Sequence, residues 1–132
     1  MTDQTKAPID GIRTVGIPVS DQDRALEFYA KTLGFEKLVD APVEQLGGRW
    51  IELRPPRSTV TIALTPAAEK VPAGVDTGIR FTTEDAVALH AELSDRGVDV
   101  DELLHWEGVP PMFDFRDPDG NVLYVSESPP QN

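Results

Sequence analysis

The sequence contains no cysteine, which removes disulfides, thiolate metal sites and cysteine nucleophiles from consideration. Positive charge is scarce: 12 Lys and Arg stand against 23 Asp and Glu, for a formal net charge of −11. An acidic surface of this kind repels phosphate backbones and anionic lipid, so neither nucleic acid nor a membrane surface is expected as a partner. Histidine is limited to His90 and His105, and their placement matches no metal-ligand spacing such as H-E-x-x-H. No apolar run approaches the ~20 residues that span a bilayer. The opening stretch MTDQTKAPID lacks the apolar core of a signal peptide, and a cytoplasmic protein is expected. Gly-rich phosphate loops and the G-x-S-x-G elbow are missing as well. What remains is an acidic chain of 132 residues, a length that suits one domain with a real core.

The most informative segment is TVGIPVSDQDRALEFYAKTLGF, from Thr14 to Phe35. Val15, Ile17 and Val19 alternate with Thr14, Gly16 and Pro18, as in a half-buried strand. Ser20 stands where a helix N-cap belongs, with Asp21 and Asp23 in the first turn. The helix stripe is Ala25, Leu26, Phe28, Tyr29 and Leu33, and Gly34 ends it. Strands are then expected over EKLVDAP, RWIELR and TVTIALT, with a turn region at VEQLGG. PAAEKVPAGVD reads as a connector.

The same order follows again. TGIRFTT alternates as a strand, and Thr83 can cap the helix EDAVALHAELSDR, whose stripe is Ala86, Leu89, His90 and Leu93. Gly97 stops that helix, and strands are expected over VDVDELL, MFDFRD and NVLYVSE, with DPDG as a tight turn. The two glycine stops lie 63 apart (97 − 34), an offset that also matches Ser20 to Thr83 and Ala25 to Ala88. The expected fold is α+β: two β-α-β-β-β modules forming a curved mixed sheet around a concave cleft, with helices outside. The whole chain, 1–132, is one domain, with module one over about 12–66, a linker over about 67–75 and module two over about 76–128. Residues 1–11 should form an arm, and SPPQN a tail.

On VGIPVSDQDRALEFYAKTLGF and FRDPDGNVLYVSE, the chain resembles the vicinal oxygen chelate superfamily, which includes glyoxalase I, extradiol dioxygenases and bleomycin-resistance proteins. The resemblance implies a divalent-metal site with one His or Glu ligand from each outer strand of the two modules. Those corners fall on Thr14, on Ala63 (Ile62 if the register slips), on Gly78 (Thr77 if shifted) and on Tyr124. None is His, Asp or Glu. The resemblance therefore implies a member with no metal and no cofactor, similar to the bleomycin-resistance branch. Members of that branch are dimers that sequester cationic drugs in clefts formed between modules of two subunits.

The candidate ligand-binding residues are Thr14, Trp50, Glu52, Ala63, Arg80, His105, Trp106, Met112, Asp114 and Tyr124. Trp50 and Tyr124 offer flat apolar surfaces with polar tips, while Glu52 and Asp114 could meet positive groups on a ligand. The competing reading is that Arg80 neutralises Glu52 or Asp114 and the aromatics fill space. Glu52 is the one candidate general base, if burial raises its pKa; equally, it could be an inert partner of Arg54 or Arg80. His90 reads as a boundary residue, and His105 with Trp106 as a lid or ligand contact. The expected partner is a small organic molecule, cationic or aromatic, bound by a homodimer. Two rivals remain open: a lyase, isomerase or dioxygenase with a relocated metal or a carboxylate base, and a non-catalytic partner subunit.

Overall fold

Strand β1 (Thr14–Val19) commits Val15, Ile17 and Val19 to one face and must then leave the sheet. The computed structural model describes residues 7–128, so the first part of the arm and residues 129–132 of the tail lie outside the described residues. Helix α1 (Gln22–Glu27) begins one residue later than expected. Its cap is Asp21, whose side chain accepts from the Arg24 N–H at 3.0 Å. Ser20 is not the cap, because Asp119, from module two, engages both its backbone N–H and its hydroxyl. The helix continues as a π-turn over Phe28–Thr32, and Gly34 ends it with φ +80°.

Module two repeats the device with one difference. Asp85, not Thr83, caps helix α2 (Ala86–Asp95), accepting from the Ala88 N–H at 3.0 Å. Thr83 is unavailable because it is the last residue of strand β5 (Asp76–Thr83). The caps are thus 64 positions apart (85 − 21), whereas the stops Gly34 and Gly97 are 63 apart (97 − 34). The π-turn houses the extra residue of the first helix.

Strands β2 (Glu36–Val43), β3 (Gly48–Arg54) and β4 (Thr61–Pro66) complete the first sheet in the order β1-β4-β3-β2. Strands β6 (Asp99–Val100), β7 (Met112–Arg116) and β8 (Val122–Glu127) complete the second in the order β5-β8-β7-β6. The first and last strands of each module run parallel, and the other pairings are antiparallel. The strand expected over VDVDELL is reduced to Asp99–Val100. Beyond it, Asp101 bonds to Asp114 and Leu104 to Met112, so three residues advance on one side for two on the other and the ladder breaks.

The two sheets are curved and separate, and they meet through their helix-covered sides. Ile17 and Leu64 from the first sheet join Phe113, Phe115 and Leu123 from the second in one core, with Tyr29 of the π-turn between them. Phe28 packs on Phe115 at 6.5 Å between centroids, and Phe35 on Phe81 at 5.5 Å. At one end of this seam Asn121 is fully buried: it donates to the Pro18 carbonyl, and its Oδ1 accepts from the N–H groups of Gly74 and Val75. Asp117 joins the knot by accepting from the Tyr29 hydroxyl at 2.8 Å. The faces opposite the helices point away from the shared core. They carry the candidate site.

Candidate functional site

Register decides which side chains share those outer faces. In module one Gly16 lies beside Ala63 and Ala63 beside Glu52, so these three form a row, with Thr14, Thr61 and Trp50 on the same face. The Glu52 carboxylate is the centre of that face. It accepts from the Thr61 hydroxyl at 2.7 Å, the Arg13 guanidinium at 2.9 Å and the Trp50 indole N–H at 3.0 Å. These contacts, Thr61 first, hold its carboxyl below the usual range against the opposing effect of burial. A carboxylate so satisfied is a poor proton acceptor, which argues against Glu52 as a general base.

Its ionic partner also differs from expectation. Arg54 faces Glu36 directly across the ladder and donates to it at 2.6 Å, and Arg80 belongs to the other sheet. Arg13, the residue just before β1, takes the place instead; its side chain stays 72% exposed while that of Glu52 is 6% exposed. Ala63 is buried beneath these groups, and the Thr14 hydroxyl is buried nearby without a hydrogen-bond partner.

Because Glu52 has a lowered carboxyl pKa in the folded state, it stabilises the fold above its unfolded value, and that contribution fades as pH falls through the folded value. The stability difference between wild type and Glu52→Gln should therefore shrink steadily as pH is lowered from about 5. Chemical denaturation across that range measures it. A difference that stays constant would show that the charge contributes nothing.

In module two the equivalent row is Arg80, Tyr124 and Asp114. The Arg80 guanidinium lies 4.4 Å from the centroid of the Tyr124 ring and donates to the Gly78 carbonyl at 2.9 Å. It therefore neutralises neither Glu52 nor Asp114. A bulge in β5, where Gly78 takes φ +71°, brings this carbonyl within reach; a side chain at Gly78 would be strained. The Tyr124 hydroxyl donates to Asp76 at 2.7 Å, and that bond, with burial, raises the phenol above its usual value. Asp114 is held above the usual carboxylate range by burial and by Asp101, while Arg116 binds Asp101 at 3.1 and 3.2 Å.

Met112 opens β7 on the same face, paired with Ser126. His105 and Trp106 lie on the exposed loop before β7, with Trp106 58% exposed. His90 is a packing residue: a ring nitrogen meets the Asp101 carbonyl at 2.8 Å, and the ring stands edge-on to Phe113. A crevice of about 1040 Å³ opens elsewhere, on the core side between the modules, walled by Val15, Phe35, Ile79, Phe81 and Leu89.

The structure thus gathers the candidates into two groups on two sheets. Thr14, Trp50, Glu52 and Ala63 share one face; Arg80, Met112, Asp114 and Tyr124 share the other. Sequence reading missed Arg13 and Asp76, since nothing in their spacing ties Arg13 to Glu52 or Asp76 to Tyr124. A metal does not fit these residues. Ala63 and Gly78 offer no ligating side chain, and among the described residues no three His, Cys, Asp or Glu converge to hold an ion.

Similarity to known proteins supports the fold and the family. Residues 11–125 match the sequence model of the Glyoxalase/Bleomycin resistance protein/Dioxygenase superfamily. TnmS3, an antibiotic binding protein from Streptomyces sp. CB03234, superposes with a TM-score of 0.82 at 32% identity, covering 92% of this chain and 98% of that one. A Glyoxalase/bleomycin resistance protein/dioxygenase superfamily member from Sphaerobacter thermophilus DSM 20745 gives a TM-score of 0.81 at 33% identity, over 91% of this chain and 98% of its own. The uncharacterized protein YetH of Bacillus subtilis (strain 168) is 27% identical over 123 residues, which is 90% of this chain and 99% of YetH.

Proposed function

The chain belongs to the Glyoxalase/Bleomycin resistance protein/Dioxygenase superfamily, and on that footing we propose that it binds a small organic molecule on its concave faces without using a metal. The observation that carries this reading is the make-up of those faces. Each presents an aromatic ring, Trp50 or Tyr124, and the rows around them hold small residues and pre-paired charges instead of free metal ligands. The likeness to an antibiotic binding protein at 32% identity supports the same reading. The rival enzymatic reading needs a relocated metal or a carboxylate base, and the candidate base Glu52 already accepts from three donors.

The two faces belong to different sheets and turn away from a common core, so a closed cleft needs a second copy that sets module two against module one. Strands β1 and β5 are each paired on one side only among the described residues, which leaves edges for such an assembly. The protein is proposed to act as a homodimer with two such clefts.

Elemental analysis of protein purified without added metal, then dialysed, should find far less than one divalent ion per chain. One tightly held ion per chain would overturn the metal-free reading. A thermal-shift panel of aromatic antibiotics, run with and without Zn²⁺ and Mn²⁺, tests the binding itself. A ligand at 100 times its Kd adds about 2.7 kcal/mol to stability, so the midpoint should rise by several degrees without any need for metal.

A further inference from the structure

Both faces carry the same three-part device, built from unrelated residues. On module one the Trp50 indole N–H is held by the Glu52 carboxylate at 3.0 Å, which also holds the Arg13 guanidinium at 2.9 Å. On module two the Tyr124 hydroxyl is held by Asp76 at 2.7 Å, and the Arg80 guanidinium lies over the ring at 4.4 Å. In each case a carboxylate already accepts from the protein's own donors, and the polar hydrogen of the ring is already spent. Trp50 is left with its flat π surfaces, while over Tyr124 the flat surface presented is the Arg80 guanidinium that covers the ring.

Both faces keep free hydrogen-bond donors, and module two also holds the Asp114 carboxylate beside Tyr124. Guanidinium carries five N–H donors and no acceptor. Arg13 gives one nitrogen to Glu52 with its side chain 72% exposed, and Arg80 gives one to the Gly78 carbonyl and is likewise exposed. The two arginines thus place donors on the faces of a chain whose overall charge is −11, a field whose reach is cut to about 8–10 Å by physiological salt.

We propose that the ligand is a planar aromatic molecule bearing acceptor oxygens (phenolate, carboxylate or conjugated carbonyl) that stacks on Trp50 and on the Arg80 guanidinium covering Tyr124, and is hydrogen-bonded by Arg13 and Arg80. This rests on the small-molecule reading above; of the two sequence expectations, a cationic or an aromatic ligand, it keeps the aromatic one and sets the cationic one aside. Guanidinium pairs a planar anion in a fixed fork, so one plane serves both stacking and hydrogen bonding. Arg13 and Arg80 are then specificity-determining residues, with Glu52 and Asp76 as positioning residues behind the rings.

Isothermal titration calorimetry with three probes of one ring system tests this: 1-hydroxy-2-naphthoate, 1-naphthylmethanol and 1-naphthylmethylammonium. The naphthoate should bind saturably and at least about tenfold more tightly than the ammonium. Arg13→Gln and Arg80→Gln should each weaken the naphthoate by about tenfold and leave the alcohol nearly unchanged. Both side chains are exposed, and thermal melts verify that the variants fold. If the ammonium binds as tightly as the naphthoate, or if neither arginine variant affects the naphthoate, the proposal fails while the small-molecule reading stands, provided Trp50→Ala abolishes binding. Absence of heat from all three probes overturns both.

Discussion

Phe115→Ala is expected to lower the thermal midpoint by roughly 10–20 °C, the most severe effect of any single truncation considered for this protein. Phe115 is 2% exposed and lies on β7 where the modules meet. Its ring is 6.5 Å from each of Phe28, Phe81 and Phe113, so three aromatic neighbours from three different elements lose their partner together. Phe→Ala truncations in cores cost about 3–5 kcal/mol, at the upper end where the surroundings cannot collapse. Here collapse would require the two sheets to approach each other. Phe115→Leu restores most of the volume and should recover more than half of the loss. Calorimetry on the pair measures it, and a drop of less than about 5 °C for the alanine variant would mean that the seam is not a common core.

Asn121→Ala should cost about 3–4 kcal/mol, measured as a shift in the urea midpoint at unchanged m-value. The Asn121 amide makes four hydrogen bonds through its side chain, to Pro18, Asp117, Gly74 and Val75, all between 2.8 and 2.9 Å. Removing it strands two backbone donors and a carbonyl inside the molecule, each worth about 1–3 kcal/mol if water cannot reach it. Asn121→Asp is the more telling variant. It keeps the acceptor for Gly74 and Val75 but loses the donor to Pro18 and sets a second carboxylate against Asp117. It should be at least as damaging as alanine although it is nearly isosteric. Retention of stability by either variant within about 1 kcal/mol would show that the knot is not what joins the modules.

The module order, strand faces and glycine stops were legible because each has a local physical signal. Alternation places Val15, Ile17 and Val19 inside, and only glycine enters the left-handed region at Gly34 and Gly97 without strain. Caps were less legible. Ser20 and Asp21 are both good N-caps in tandem, and the choice is made by Asp119, 99 positions away in the chain. The π-turn has no sequence signature. The Asn121 knot hides in what reads as the opening of a strand, since its partners at Pro18 and Gly74 are brought close only by the fold. On the site, composition exposed the empty metal corners, and register supplied the faces. The partners of Glu52 and Tyr124 were not legible, because Arg13 and Asp76 approach from strand ends whose side chains alternation does not place.

The π-turn also reconciles two helices of unequal length: the distance from cap to stop is one residue greater in module one than in module two. Within a plain α-helix, a one-residue insertion rotates everything after it by about 100° and would swing Leu33 off the core. A single widened turn absorbs the change over five residues, Phe28–Thr32, and returns the chain to Gly34 in register. The altered turn carries Tyr29, whose hydroxyl binds Asp117 of the other module. The additional residue thus coincides with a contact that ties the two modules to each other.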